Sequence, residues 1–144
     1  MSNSNHYKPV TILLVDDDDV DYIAVQRVMK RLRLLNPLVR ARDGLEALTI
    51  LTNTETIKGA YLILLDLNMP RMNGFEFLEH IRNDPILSSS VVFMLTTSRA
   101  DEDRMKAYSH HVAGYMVKTD MKYSFHNIFN MLEGYLRIVE LPSV

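Results

Sequence analysis

Tyr61-Leu62-Ile63-Leu64-Leu65-Asp66 is an unbroken run of five apolar residues that ends on a carboxylate. Successive side chains of a strand point to opposite faces, so a continuous apolar run requires burial on both. That is the situation of a strand inside a parallel sheet with helices on either side. Similar runs lie at residues 10–15, 38–41, 91–95 and 115–117. Between them come stretches with helical character, at 20–34, 45–51, 74–82 and 101–111. The first carries Val20, Ala24, Val28 and Leu32 at four-residue steps. The third sets Phe75, Leu78 and Ile81 on one face and stops before Asp84-Pro85. A final stripe, Phe125, Ile128, Phe129, Leu132 and Leu136, has the spacing of a helix packed on a core. Strand and helix thus alternate, which predicts an α/β fold: a doubly wound, five-stranded parallel sheet with right-handed crossovers and five helices.

Size and charge narrow the class. The 144 residues suit one domain, expected over residues 10–138 between a loose tail at 1–9 and a second at 139–144. A net charge of -2 gives no basic excess of the kind nucleic-acid binders carry. With no cysteine, disulfides and thiolate metal sites are excluded, in keeping with a reducing cytoplasm. Five-residue apolar runs fall far short of the ~20 that span a bilayer, and the polar first residues lack a signal-peptide core.

In open parallel sheets the functional crevice lies beyond the carboxyl ends of the strands. The first run leads into Asp16-Asp17-Asp18-Asp19, with Asp21 close behind. The third ends at Asp66, the fourth at Thr96-Thr97-Ser98 and the fifth at Lys118. Such a set suits phosphoryl transfer to a carboxylate. One aspartate supplies the nucleophilic oxygen and becomes an acyl phosphate. Crowded carboxylates need a hard cation, and Mg²⁺ takes oxygen ligands octahedrally and offsets charge on a transferring phosphoryl group. A threonine hydroxyl can donate to a phosphoryl oxygen, and a lysine can pair with the carboxylate and then with its phosphate. Singly, each residue has a plainer reading. An acidic run before a helix is commonly a cap, here Asp18 or Asp19, and a lone lysine is commonly solvated. The agreement of four strand ends carries the case.

The segment Leu64-Leu65-Asp66-Leu67-Asn68-Met69-Pro70-Arg71-Met72-Asn73-Gly74 has a hydrophobic-Asp-x-x-Met-Pro-x-x-x-Gly pattern. With Val15-Asp16-Asp17, Met94-Leu95-Thr96-Thr97 and Gly114-Tyr115-Met116-Val117-Lys118 in order, the chain resembles a response-regulator receiver domain of two-component signalling. The resemblance spans residues 11–137 and implies a flavodoxin-like fold. It implies phosphorylation of Asp66, metal binding by Asp16, Asp17, Asp66 and the Asn68 backbone carbonyl, and phosphate contacts from Thr96 and Lys118. A register one residue on, Asp17 and Asp18, is the alternative for the acid pair. It further implies a switch formed by Thr96 and Tyr115, and tuning of self-dephosphorylation by Asn68 and Ser98. Arg42-Asp43-Gly44-Leu45-Glu46-Ala47-Leu48 and Thr96-Thr97-Ser98 resemble stand-alone receivers associated with phytochromes. The implied partner is a sensor histidine kinase, or a phosphotransfer protein if Asp66 is a relay station. A homodimer through Tyr108, Tyr115, Met116 and Tyr123 is a further expectation. One departure stands out: Lys118 is followed by Thr119, where receivers commonly have proline after a cis bond.

Rival readings fit less well. An aspartate-nucleophile phosphohydrolase wants a second aspartate at position 68, which is Asn. An EF-hand beginning Asp17, Asp19, Asp21 fails at Tyr22 and Val28. A scaffold that has lost phosphorylation is opposed by the full set of acids. A phosphohistidine helix using His80, His110, His111 or His126 lacks a four-helix bundle. The chain is therefore expected to signal rather than turn over substrate, and the short stretch after the last helix implies output by surface recognition.

Overall fold

A computed structural model describes residues 10–53, 55–118 and 121–142, without the side chains of 121–124. In chain order the elements are β1 (Thr11–Val15), α1 (Asp19–Arg31), β2 (Leu38–Ala41), α2 (Gly44–Thr52) and β3 (Tyr61–Leu65). They continue as α3 (Gly74–Asn83), β4 (Val92–Thr96), α4 (Asp101–Ser109), β5 (Gly114–Val117) and α5 (Met121–Ile138). All strand pairs are parallel, in the order β2-β1-β3-β4-β5.

The unbroken apolar runs serve both faces, as the pleat requires. Leu13, Val15, Ile63, Leu65, Val92 and Met94 enter one core layer with Phe77, Leu78 and Ile81 of α3. Ile12, Leu14, Leu62, Leu64, Phe93 and Leu95 enter the other with Val25, Val28 and Met29 of α1 and Phe125, Phe129 and Leu132 of α5. Leu141 packs on this second layer, beyond the point where the domain was expected to give way to a tail.

Two sequence expectations shift. The fourth strand runs one residue further than its apolar run and takes in Thr96, which is fully buried. On α1 the buried face is Asp21, Val25, Val28 and Met29, whereas Val20 is 60% exposed. Uniform four-residue steps drift around a helix of 3.6 residues per turn, so Val20 leaves the stripe that Val28 shares with Val25 and Asp21.

The sheet reverses its winding at β1, flanked by β2 on one side and β3 on the other. Ligands of such sheets bind in the crevice at that switch point. Register pairs Val15 with Leu65, and the Asp66 N–H donates to the Val15 carbonyl at 2.9 Å. Asp16 and Asp66 therefore leave the sheet side by side.

Candidate functional site

Local sequence fixes each acid. Asp16 directly follows β1 and is 1% exposed. Its Oδ1 accepts from the Asp18 N–H at 2.9 Å and its Oδ2 from Lys118 Nζ at 2.8 Å. Asp18 caps α1, its carboxylate accepting from the Val20 N–H at 2.8 Å. That cap engages one Asp18 oxygen at the helix start, and the acids that converge are Asp16, Asp17 and Asp66. Carboxylate oxygens of Asp16, Asp17 and Asp66 lie within 4.8 Å of one another.

Asp66 is held from behind. Its Oδ1 accepts from the Leu67 N–H at 2.9 Å. The start of α3 packs on its backbone: a Cβ on Gly74 would collide with the Asp66 carbonyl oxygen and come 3.0 Å from Leu67 Cα. This close approach explains the glycine of the motif. Asn73 then caps α3 in a reciprocal box with Glu76. The intervening loop is stapled to the start of α2. Arg71, at φ 62°, donates through Nε to the buried Asp43 at 2.7 Å, and the Gly44 N–H donates to the Met72 carbonyl at 3.1 Å.

Lys118 closes the site from β5. Its N–H donates to the Thr96 carbonyl at 2.8 Å, which aims the side chain across the strand ends. The ammonium lies 2.6 Å from Asp21 Oδ2, 2.8 Å from Asp16 Oδ2 and 3.8 Å from Asp66 Oδ2. The sequence alone assigns Asp21 no place in the site, yet it is 3% exposed and holds the shortest of these contacts. An acid on the buried stripe of a helix beside the functional edge was the signal available. Thr119 lies outside the described residues, so the expectation about its peptide bond lies there too, as does the Tyr123 side chain.

The electrostatics follow from crowding. Three buried carboxylates share one ammonium, with Asp17 exposed at the rim. Burial pushes Asp16 up, to about 7, against the pull of Lys118. Burial also pushes Asp66 above the usual carboxylate range, outweighing Lys118, the Leu67 N–H and the Thr96 hydroxyl. Burial alone would lower Lys118, but Asp16 and Asp66 raise it, so it stays charged. The cluster is short of positive charge, and three convergent oxygen donors suit a hard divalent cation. A cleft of about 380 Å³ opens here, lined by Asp17, Asp18, Asp21, Asp66, Asn68, Thr97 and Lys118. Larger hollows along α3 and beside the α1–β2 connection collect no comparable set of buried charges.

The fourth strand end divides its tasks. Thr96 Oγ1 accepts from the Ser98 N–H at 3.3 Å. The Ser98 hydroxyl donates to Asp103 in the first turn of α4 at 2.6 Å, while Thr97 lines the cleft. Tyr115 packs on the α3 side of the sheet and donates its hydroxyl to the Ser98 carbonyl at 2.9 Å.

Residues 12–130 match the family model of the response regulator receiver domain. The chain belongs to the response regulator receiver family. It is 36% identical over 142 residues to response regulator Rcp1 of Synechocystis sp., covering 94% of this chain and 95% of that protein. The crystal structure of the Mn²⁺-bound form of Rcp1 matches with a TM-score of 0.82, covering 93% of this chain and 99% of that one. The phosphorylated cyanobacterial phytochrome response regulator RcpA matches at 31% identity with a TM-score of 0.82, covering 94% and 100%. The protein is thus a receiver domain, a signalling domain, with an acidic cluster suited to a divalent cation. None of its described helices is long and apolar enough to cross a membrane.

Proposed function

We propose that this receiver accepts a phosphoryl group on a carboxylate oxygen of Asp66, with Mg²⁺ held by Asp16, Asp17, Asp66 and the Asn68 carbonyl. The single observation that carries this is the convergence of Asp16, Asp17 and Asp66 within 4.8 Å beside the Lys118 ammonium. The Asp66 oxygen forms the new bond to phosphorus. The bond from phosphorus to the donor's nitrogen or oxygen breaks, and the leaving group departs with that electron pair. When bound, the cation neutralises charge on the transferring group. Lys118, 3.8 Å from Asp66, moves toward the new phosphoryl oxygens, and the Thr96 hydroxyl donates to one of them.

The response is read at the β4–β5 edge. Inward movement of Thr96 shifts the segment through Ser98, whose carbonyl holds Tyr115 and whose hydroxyl holds α4. Asn68, lining the cleft, and Ser98 set how long the acyl phosphate lasts. A sensor histidine kinase in the cytoplasm is the donor. The phosphorylated phytochrome regulator among the similar structures supports a kinase of phytochrome type. The partly exposed Tyr108 and half-buried Met116 provide a surface for a homodimer or target. The domain acts by switching that surface, not by turnover, and no contact favours onward relay to a phosphotransfer protein.

The test is incubation with acetyl phosphate and Mg²⁺, read by intact mass. One gain of roughly 80 Da, a single phosphoryl group, is expected. Asp66→Asn should abolish it and chelation should prevent it. A gain that survives Asp66→Asn would sink the assignment.

A further inference from the structure

Asp17 presents a problem of placement. It is exposed, and among the described residues no donor holds its carboxylate. Its position depends on the two ends of the turn that carries it, Asp16 and Asp19. Both ends are held by one side chain from the edge strand. Arg40 of β2 donates through Nε to the Asp16 carbonyl at 3.0 Å and through Nη1 to Asp19 Oδ1 at 2.7 Å. The sheet ladder stops here: the Asp16 N–H still pairs with the Ala41 carbonyl at 2.9 Å, but β1 and β2 part beyond Val15 and Ala41. Arg40 supplies the donor that the ladder no longer gives.

The guanidinium is committed to this task. Its side chain is only 9% exposed, and it lies over the Tyr22 ring of α1, 5.0 Å from the centroid. Among the described residues its Nη2 is buried without a hydrogen-bond partner. Leaving such a donor unpaired is unfavourable, so the side chain is kept inside by its other contacts. Arg42 also reaches Asp19, at 3.2 Å, but is 58% exposed and touches nothing at Asp16.

We infer that Arg40 is a positioning residue for the metal site. It clamps the Asp16–Asp19 turn at both ends and so sets Asp17 and Asp16 at the spacing a divalent cation needs. The inference rests on the metal-dependent reading above. It adds a residue of β2 to a site whose other members lie at the ends of β1, β3 and β5 and in the first turn of α1. A point charge cannot replace it, because one ammonium cannot reach both acceptors as the planar guanidinium does.

The experiment is a Mg²⁺ titration by calorimetry, paired with acetyl phosphate rates across Mg²⁺ concentrations. Arg40→Met keeps an apolar stem over Tyr22 and removes the clamp. It should raise the Mg²⁺ Kd about tenfold or more, the usual loss when an outer-shell partner is removed. The phosphorylation rate at saturating Mg²⁺ should stay within about threefold, since the nucleophile is untouched. Arg40→Lys should lose nearly as much affinity, and Arg42→Met should stay within about twofold of wild type. Full affinity in Arg40→Lys would overturn the clamp in favour of charge alone. So would a change under about twofold in Arg40→Met, or a fallen plateau rate with unchanged affinity. If Arg40→Met does not fold, Asp19→Ala removes the acceptor at the far end of the clamp, and unchanged Mg²⁺ affinity there overturns the inference. A wild-type domain that takes no Mg²⁺ removes the metal-dependent reading itself; binding by wild type with unaltered Arg40 variants removes only the clamp.

Discussion

The two halves of the crevice are built to different standards. At the β1–β3 half, every residue of both strands is buried, Asp16 and Asp66 are held by backbone N–H groups, and α3 packs backbone to backbone through Gly74. At the β4–β5 half, β5 is an edge strand, half-buried throughout. There α4 has no side-chain cap at Ala100, buries only Ala107, and leaves Met105 70% and Tyr108 48% exposed. Bond formation needs fixed geometry, whereas a reporting surface needs a second arrangement close in free energy. The difference teaches that this fold puts its strongest constraints at the acids proposed to take the phosphoryl group and its weakest at the surface proposed to report it. Low burial on one element is what permits local motion at small cost.

The largest expected effect comes from Lys118, the one ammonium among the described residues that joins the halves. Lys118→Met leaves Asp16, Asp21 and Asp66 buried together without their cation. Breaking a buried pair in this way costs about 3–5 kcal/mol. Urea unfolding in chelator should show that loss, and saturating Mg²⁺ should restore most of it. A metal-insensitive deficit would mean that the loss is packing, not charge.

Gly74→Ala strikes the rigid half alone. The added methyl meets the Asp66 carbonyl and Leu67 backbone, neither of which can rotate away. Overpacking of this kind costs about 1–3 kcal/mol, and the upper part of that range is expected here. Gly134→Ala on α5 is the control, since an added Cβ there meets nothing within 4 Å. It should stabilise by about 0.5–1 kcal/mol through helix propensity. Equal effects at the two glycines would erase the contrast in rigidity.

A pH titration separates the site from the rest of the fold. Asp16 titrates near 7 when folded, above its unfolded value of 3.8. A raised carboxylate adds stability that is complete below 3.8 and lost as pH rises through the folded value. Without metal, the domain should therefore weaken between pH 4 and 7, by at most about 1.4 kcal/mol per unit for each proton. Asp43 behaves oppositely: burial alone would raise it, but Arg71 and the Glu46 N–H lower it, so its contribution fades only in stronger acid. With saturating Mg²⁺ the slope above pH 5 should flatten, because the bound cation displaces the proton from Asp16 and the unfolded chain binds almost none there. Urea midpoints at pH 5 and 7.5, with and without Mg²⁺, decide it. A metal-free domain that gains stability over that interval would contradict the burial of Asp16 as a charged group.

Much of this asymmetry could be read from the chain. The continuous apolar runs reported double-sided burial, and strand-end chemistry reported Asp16, Asp66, Thr96 and Lys118, because both are local patterns. Which acid caps the helix needed the folded turn, where Asp18 accepts from the Val20 N–H. Asp21 was hidden by the four-step stripe beginning at Val20, which pointed to the wrong face of α1. Arg40 was invisible for a different reason. A charged residue in an edge strand reads as solvated, and nothing local tells that its partner carbonyl lies 24 residues earlier. The contact of the Ser98 hydroxyl with the first turn of α4, which lacks a capping side chain at Ala100, has no signal in the sequence either.

The smallest expected effect tests the looser half. Tyr115→Phe deletes one hydrogen bond, from the ring hydroxyl to the Ser98 carbonyl, and leaves the ring in place against the core. The net loss should be about 1 kcal/mol, since the carbonyl can recover a water at this partly open edge. Phosphorylation of Asp66 from acetyl phosphate should proceed at the wild-type rate, because no reacting atom is touched. What should change is hydrogen exchange in α4 and β5 between the free and phosphorylated forms. The tether that couples Ser98 to the β5 edge is gone, so the difference between the two forms should shrink there while persisting around Asp66. A full-sized difference at α4 and β5 in Tyr115→Phe would mean that the signal crosses by another route, through Ser98 and Asp103 alone.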